Sequence, residues 1–295
     1  MANEEKSFQK GSINWYPGHM AKTKRQIKEI INIVDIVLHV VDARIPYSSY
    51  IKDINNFIGN KPQIIFMSKY DLCDRNETDK WVKYYEEKGY RVLCCNSKVG
   101  NEYLKVFPII DELMKDLNDK RVKKGLLPKK ASVMVLGVTN VGKSTLINRL
   151  VNKKVSEVGN KPGVTKTINK IRINERIDLI DTPGILWPKI DEEEVAYNLA
   201  SMSIIKEEVL PLDEIAIYIL KTLSNYYKDI YIKMYGDILY EEDNIINIYE
   251  NISKVRNIPF YQGEANYERI NNLIINDIKS EKIKGITFDK YNNMC

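Results

Sequence analysis

Gly137-Val138-Thr139-Asn140-Val141-Gly142-Lys143-Ser144 is the stretch of sequence that decides the fold. It follows the apolar run Val133–Leu136 and leads into residues 145–150, which have the pattern of a helix. Strand, glycine loop and helix form a phosphate-binding loop, whose backbone N–H groups can face phosphate oxygens. In such a loop Lys143 reaches the β- and γ-phosphates and Ser144 places its hydroxyl on Mg²⁺. Asn140, Val141, Gly142 and Thr145 complete the expected phosphate site. The alternative is a glycine-containing turn that binds nothing.

Size and composition are those of an ordinary soluble protein. The chain has 295 residues, of which 44% are hydrophobic and 29% charged, and it is long enough for two domains. No apolar stretch reaches the roughly 18 residues of a membrane span, and the first residues lack the layout of a secretion signal. The four cysteines show no metal or disulfide spacing. We therefore expect a cytoplasmic protein with no membrane partner. The net charge of +5 permits contact with nucleic acid but does not demonstrate it.

Apolar runs alternate with helical patterns on both sides of the loop. Strands are predicted at 36–41, 63–67, 91–95, 170–173 and 176–180. Helices are predicted at 20–34, at 50–58, from Asn76 or Thr78 as N-cap to Gly89, and at 103–120. This alternation predicts an α/β fold with a doubly wound, mostly parallel sheet. Helical periodicity takes over from about residue 190, so we predict a nucleotide-binding domain over 1–188 and a smaller all-α domain over 189–295.

Ser68-Lys69-Tyr70-Asp71 follows a predicted strand and suggests which base is bound. Asp71 can accept hydrogen bonds from N1–H and the exocyclic amine of guanine, while the stem of Lys69 lies against the ring. Adenine would leave a desolvated carboxylate without donors, which favours GTP and GDP. Asn96, Ser97 and Lys98 follow another strand and could close over the same base. Alone, the motif could be a surface turn, and an ATP-using enzyme such as a small-molecule kinase is a further alternative.

Two more loops provide candidates for the metal and the γ-phosphate. Asp181 of Asp181-Thr182-Pro183-Gly184 is placed to hold Mg²⁺ through water, and Gly184 offers an N–H to the γ-phosphate. The other loop is Lys161-Pro162-Gly163-Val164-Thr165, and Thr165 is the candidate for a second hydroxyl on the metal besides that of Ser144. Either loop could be an ordinary turn, but each follows the phosphate loop in the chain.

The order of these motifs resembles that of a known family. In most GTPases the base-reading motifs follow the phosphate loop, whereas here they precede it. With Trp15-Tyr-Pro-Gly-His-Met20, Asp42-Ala-Arg-Ile-Pro46 and Asp181-Thr-Pro-Gly-Ile-Leu-Trp-Pro-Lys189, the chain resembles the circularly permuted RbgA/YlqF ribosome-assembly GTPases. The resemblance implies GTP hydrolysis during late maturation of the bacterial large ribosomal subunit, with the helical domain helping to bind rRNA. We expect a monomer away from the ribosome.

The chain departs from the family pattern at two positions. Ser68 stands where the family usually has Asn, and its shorter hydroxyl should not both reach the guanine N7 side and brace the phosphate loop. This predicts lowered nucleotide affinity. Thr139 occupies a position that is often Pro, which predicts a less stiff loop.

Hydrolysis is predicted to need a catalytic group other than the glutamine that orients the attacking water in Ras-like GTPases. Ile185 and Leu186 occupy the region where Ras-like enzymes carry a water-orienting Gln, so isolated turnover should be slow. The resemblance implicates His19 in hydrolysis, with a turn residue or an RNA contact as the alternatives; Lys143 and Thr165 complete the catalytic set. Asn140 resembles a residue that supports K⁺ in potassium-stimulated GTPases, or it braces the loop locally. His39, within an apolar strand, is predicted to be structural.

These features lead to two hypotheses of function. The first is a GTPase stimulated by ribosomal particles, and the second is a GTP-gated rRNA-binding scaffold in which hydrolysis is incidental.

Overall fold

A computed structural model of the chain describes residues 13–14, 18–96, 99–152, 168–186, 189–205 and 210–294. A six-stranded sheet forms the centre of the first part of the chain. Its strands are β2 (Ile36–Asp42), β3 (Gln63–Ser68), β4 (Arg91–Cys94), β5 (Ala131–Leu136), β6 (Asn169–Arg172) and β7 (Ile177–Asp181). Across the sheet they lie in the order β4-β3-β2-β5-β7-β6. Only the edge pair β6 and β7 is antiparallel, and the other four pairings are parallel. The predicted doubly wound, mostly parallel sheet is confirmed.

The central strands are apolar on both faces because helices cover the sheet. Every residue of β2 and β3 is buried, which is typical of parallel strands. The helices of this part are α1 (Gly18–Ile30), α2 (Asn55–Ile58), α3 (Arg75–Glu87), α4 (Val106–Val122) and α5 (Lys143–Val151). Two further short strands, β1 (Ile13–Asn14) and β8 (Lys189–Ile190), form a separate antiparallel pair.

Two local predictions were wrong. The helix expected at 50–58 is reduced to Asn55–Ile58, because the residues before it form a tighter turn in which the N–H of Ile54 donates to the carbonyl of Ile51 (3.1 Å), only three residues earlier. The N–H of Ile51 itself donates to Nε2 of His39 (3.3 Å). The N-cap of α3 is Asp74, whose carboxylate accepts from the N–H groups of Asn76 and Glu77. Thr78 is fully buried, and its hydroxyl instead contacts the Ala43 carbonyl (2.9 Å).

The second part of the chain, from Glu193 onward, is helical, as predicted, and we call it the helical part. Its helices are α6 (Glu193–Ser201), α7 (Leu212–Tyr226), α8 (Lys228–Tyr235), α9 (Ile245–Val255), α10 (Tyr267–Lys279) and α11 (Tyr291–Met294). α7 and α10 each turn an apolar face to the core, where Ile219 and Ile274 are fully buried. No helix among the described residues is long and apolar enough to cross a membrane.

The chain after α10 returns to the first part of the molecule. Leu72 O accepts hydrogen bonds from the N–H groups of Gly285 (2.8 Å) and Ile286 (3.2 Å), and Arg44 O accepts one from Phe288 (2.8 Å). We call residues 281–289 the C-terminal strap. Through it, the end of the helical part packs on the loops that follow β2 and β3.

Candidate functional site

The carboxyl ends of five strands bring the predicted loops to one edge of the sheet. Asp42 at the end of β2 lies opposite Ser68 at the end of β3, and Asp181 at the end of β7 lies opposite Val135 of β5. Ligands of open α/β sheets bind at this edge. The fold therefore gathers the segments that the sequence had singled out separately.

The phosphate loop has the backbone that its glycines predict. Gly142 has a φ of +96° and directly precedes α5, whereas Gly137 is constrained by close packing. A Cβ on Gly137 would stand 2.4 Å from the carbonyl oxygen of Val40, so a side chain there would push β2 and the loop apart. The loop thus needs glycine for conformation at one end and for space at the other.

Lys143 lies beneath the loop instead of extending into solvent. Its Nζ donates hydrogen bonds to the carbonyl oxygens of Gly137 (3.0 Å) and Val138 (2.6 Å). Burial lowers the pKa of Lys143 to about 8, and the nearby charge of Asp181 acts against this shift. A buried ammonium beside a carboxylate at a helix N-terminus is a suitable group for binding anionic phosphate.

The base-reading motif is hydrogen-bonded directly to the phosphate loop. Ser68 is fully buried, and its Oγ lies 2.5 Å from the carbonyl oxygen of Val141 and 3.0 Å from that of Val41. Lys69 Nζ donates to the carbonyl of Asn140 (2.9 Å). Ser68 therefore performs the bracing role, as far as its short side chain allows, and the two nucleotide motifs form one connected structure.

One cavity joins the phosphate loop to the base-reading motif. Its empty volume, including solvent at the mouth, is about 310 Å³, and its walls are Lys69, Asp71, Leu72, Asn96, Gly142, Thr145 and Glu281. Asp71 is exposed within it. Tyr70 points elsewhere, since its hydroxyl donates to Asp79 (2.6 Å). The cavity is thus lined both by the carboxylate predicted to read the base and by Gly142 of the predicted phosphate loop.

For several of the predicted site residues, the structure does not describe the position of the side chain. Ser97, Lys98 and Thr165 lie outside the described residues, as does the side chain of His19, whose backbone is in the first turn of α1. Asn96 is held at the cavity by Arg149 of α5, which donates to its carbonyl (3.4 Å).

The Asp181–Gly184 segment lies against the phosphate loop. Asp181 is almost fully buried, and the hydroxyl of Thr182 donates to Val135 O (2.7 Å). A Cβ on Gly184 would stand 2.7 Å from Cγ2 of Thr139, so glycine allows this approach. Carboxylate and hydroxyl oxygens are the ligands that Mg²⁺ prefers, and Asp181 and Ser144 are the residues at this edge that could hold such an ion.

Asp42 and Arg44 support the base-reading motif in a way that sequence reasoning missed. Asp42 accepts hydrogen bonds from Nη2 of Arg44 (2.8 Å) and from Nζ of Lys69 (2.7 Å). Burial alone raises the pKa of Asp42, but the charges and hydrogen bonds of Arg44 and Lys69 outweigh it and keep the pKa low. The Asp-Ala-Arg motif was the available signal, but its partner Lys69 is 25 residues away in the chain from Arg44.

Comparison with known proteins agrees with this geometry. The chain is 38% identical over 282 residues to ribosome biogenesis GTPase A of Bacillus licheniformis, covering 96% of this chain and 99% of that protein. The chain belongs to the ribosome biogenesis GTPase A family. The protein of the same name from Priestia megaterium is 37% identical, over 94% of this chain and 96% of the relative. Family membership makes the chain a GTPase that binds GTP and GDP.

A family model and a solved structure support the same assignment. Residues 132–235 match the model described as "50S ribosome-binding GTPase". The fold is similar to that of GNP-bound YlqF from T. maritima, with a TM-score of 0.59 and 25% identity, over 91% of this chain and 98% of that one. The suspected RbgA/YlqF relationship is confirmed.

Proposed function

We propose that this GTPase binds the immature large ribosomal subunit in its GTP state and is released after a hydrolysis step that the particle stimulates. The observation that carries the proposal is that Asp71 and the phosphate loop line one and the same cavity. The name of the matching family model, which refers to binding of the 50S ribosome, supports the choice of particle. Such a particle would make the cytoplasm the place of action and leaves no role for a membrane.

Guanine is the base that the cavity fits. Asp71 offers two carboxylate oxygens to the N1–H and exocyclic amine, and Lys69 is oriented by Asp42 so that its stem can lie along the ring. Adenine presents no such pair of donors, and an unpaired desolvated carboxylate costs about 1–3 kcal/mol or more. This chemistry disfavours the ATP-using kinase, and competition between ATP and GTP for the site tests it.

The metal site is proposed from its oxygen donors. Ser144 would bind Mg²⁺ directly, Asp181 would hold it through water, and Thr165 would add a hydroxyl when the triphosphate is bound. The metal supplies charge to the phosphate oxygens, and Lys143 supports it from beneath the loop. Asn140 donates from Nδ2 to the carbonyl of Ser203 (2.6 Å), so it braces the loop against the helical part; a further role with K⁺ is part of the proposal.

Hydrolysis is proposed to need the ribosomal particle. Ile185 and Leu186, which follow Gly184, are buried in the core and cannot orient a water molecule. His19 in the first turn of α1 is the proposed catalytic group, and a neutral imidazole can order or partly deprotonate water. Docking on the particle would bring it to the γ-phosphate.

The nucleotide state is connected to the helical part through the phosphate loop. Thr139 Oγ1 donates to the carbonyl of Ile204 (2.5 Å), next to the Asn140–Ser203 hydrogen bond. The N–H of Ile185 donates to Gly137 O (3.2 Å). This bond connects Asp181–Gly184, which we call the γ-phosphate segment, to the same loop. Loss of the γ-phosphate can thus change the position of residues 189–295, the proposed rRNA-binding domain. Its exposed Phe260 and Tyr261 are suitable for stacking on unpaired bases.

Turnover and particle binding together test the proposal. GTP hydrolysis is measured with and without immature large subunits for the wild type, His19→Ala and the same-helix control Lys22→Ala. We expect strong stimulation that only His19→Ala loses while still binding the particle. Loss of particle binding by His19→Ala would assign His19 to RNA contact. Absence of stimulation would favour the scaffold, and equal binding of GTP- and GDP-loaded protein would reject the switch.

A further inference from the structure

The C-terminal strap crosses the loop that reads the base. The carbonyl of Leu72, the residue after Asp71, accepts two hydrogen bonds from the strap, one from the N–H of Gly285 and one from the N–H of Ile286. Thr287 Oγ1 accepts from the N–H of Asp74 (3.1 Å), the N-cap of α3. These bonds fix the backbone on the carboxyl side of Asp71.

The strap also supports Lys69 from the other side. The N–H of Phe288 donates to the carbonyl of Arg44, whose guanidinium holds Asp42, and Asp42 in turn holds Lys69. The strap is itself anchored by buried Asp289, which accepts from the N–H groups of Tyr47 (2.7 Å) and Ser48 (2.8 Å). Both guanine-reading side chains therefore depend on backbone that the strap holds.

Glu281 at the start of the strap reaches the cavity itself. It lines the cavity with Asp71 and Asn96, although it follows α10 of the helical part. Burial lowers the pKa of Lys69, while the carboxylates of Asp42 and Glu281 raise it, so the charge of Glu281 acts at the base-reading end.

The backbone at Glu281 is unusual for a glutamate. Its φ of +61° is left-handed, a conformation that glycine adopts without steric penalty and that is common directly after helices. The turn is held firmly, because Asp277 O accepts from the N–H groups of Lys282 and Ile283 and the Asp277 carboxylate is paired with Arg256 (2.6 Å). The backbone conformation alone would favour glycine at this position.

We propose that the C-terminal strap is part of the guanine-nucleotide site: Glu281 accepts a hydrogen bond from the guanosine moiety, and Gly285–Phe288 position Asp71 and Lys69. This inference rests on the proposed guanine site at Asp71. Two groups could be the donor, the exocyclic amine of the base or a ribose hydroxyl. In either case the helical part contributes directly to nucleotide affinity.

Affinity measurements on the full chain test the role of Glu281. Glu281→Gly should bind GDP about 10- to 150-fold more weakly, as expected for loss of one hydrogen bond to a charged acceptor, yet should melt no lower than the wild type. Gln262→Gly is the matched control, since Gln262 is exposed, has a φ of +53° and lies outside the cavity lining. It should leave GDP affinity unchanged. Unchanged GDP affinity in Glu281→Gly would overturn the proposal for this residue.

Modified nucleotides identify the donor. If Glu281 binds the exocyclic amine, the difference between wild type and Glu281→Gly should disappear with IDP, which lacks that amine. If it binds the ribose, the difference should disappear with 2′,3′-dideoxy-GDP. An equal loss with GDP, IDP and the dideoxy nucleotide would contradict a hydrogen bond to guanosine.

Amide hydrogen exchange tests the positioning role of the strap. Saturating GDP should slow exchange at the N–H groups of Gly285, Ile286 and Phe288 by about tenfold or more, with Glu264 and Tyr261, in a turn of the helical part, as unaffected references. Protection of the phosphate loop without protection of the strap would overturn the inference while leaving the proposed function intact. Absence of GDP binding by the wild type would instead contradict the proposed function and remove the basis of both.

Discussion

The buried carboxylate of Asp42 offers the sharpest test of how the base-reading site is built. The Asp42 side chain is fully buried, and that of Arg44 is only 4% exposed. Asp42 accepts from the N–H (3.0 Å), Nε (3.0 Å) and Nη2 (2.8 Å) of Arg44 and from Lys69 Nζ (2.7 Å). In Asp42→Asn one oxygen remains, but the new amide would direct its N–H groups at the donors Nη2 and Nζ. The substitution therefore leaves a buried guanidinium without its counter-charge.

The expected loss follows from that geometry. Breaking a buried ion pair by removing one partner costs about 3–5 kcal/mol. With an unfolding entropy of about 2.1 cal/mol/K per residue, a chain of 295 residues loses roughly 5–8 °C of melting temperature for this change. Lys69 also loses its anchor, so GDP should bind about tenfold more weakly, the equivalent of about 1.4 kcal/mol for one charge-assisted hydrogen bond.

Calorimetry and GDP titration measure the two effects on the same samples. Asp53→Asn, at an exposed aspartate after the same strand, is the control and should change neither quantity. In the double variant Asp42→Asn/Arg44→Met the unpaired guanidinium is absent, so its loss of stability should be smaller than the sum of the single losses. A melting temperature within about 1 °C of the wild type, together with unchanged GDP affinity, would refute the account of Asp42 as the support of Lys69.

Three further predictions concern other parts of the site and the sheet. Burial lowers the pKa of His39 to about 3, below its ordinary 6.5. As the pH decreases below about 6.5, the unfolded chain binds a proton at His39 while the folded chain does not, so the free energy of unfolding decreases. At 1.36 kcal/mol per pH unit this amounts to about 2 kcal/mol between pH 6.5 and 5. Urea unfolding of His39→Gln, which keeps an acceptor for Ile51, should lack that part of the loss, and equal losses in both proteins would contradict a buried neutral imidazole. Asp71→Asn should weaken GDP binding about 100-fold and favour xanthosine diphosphate, whose C2 carbonyl can accept from the new amide; a competition assay that still favours GDP would count against Asp71 as the base reader. Gly184→Ala should lower GTP affinity more than GDP affinity, because a Cβ 2.7 Å from Thr139 Cγ2 displaces the γ-phosphate segment, and an unchanged ratio of the two affinities in nucleotide titrations would contradict this.

The sequence was sufficient for the parts of the site that depend on local pattern. The phosphate loop has a fixed spacing, and each apolar run before a motif predicts a strand whose carboxyl end must lie at the shared edge. The pairing of Ser68 with Val141 and of Asp42 with Lys69 depends on register between strands, which periodicity does not determine. The expectation that Thr139 leaves the loop less stiff took no account of its hydrogen bond to Ile204, 65 residues later. Glu281 had no motif at all, because only tertiary folding brings it to the cavity.

The helical part contacts the nucleotide site at two places, and this has a thermodynamic consequence. Ser203 and Ile204 accept hydrogen bonds from the phosphate loop, whereas the C-terminal strap holds the base-reading loop. A particle that binds the helical part can therefore act on the phosphate end, through Ser203 and Ile204, or on the base end, through the strap. Coupling between two binding sites is reciprocal. If the GTP form binds the particle more tightly than the GDP form by some factor, the particle must raise the affinity for GTP relative to that for GDP by the same factor. A particle that shifted the strap without the phosphate loop would weaken both nucleotides equally and promote exchange. One that moved Ser203–Ile204 would discriminate between them, so the GTP-to-GDP affinity ratio measured on the particle distinguishes the two routes.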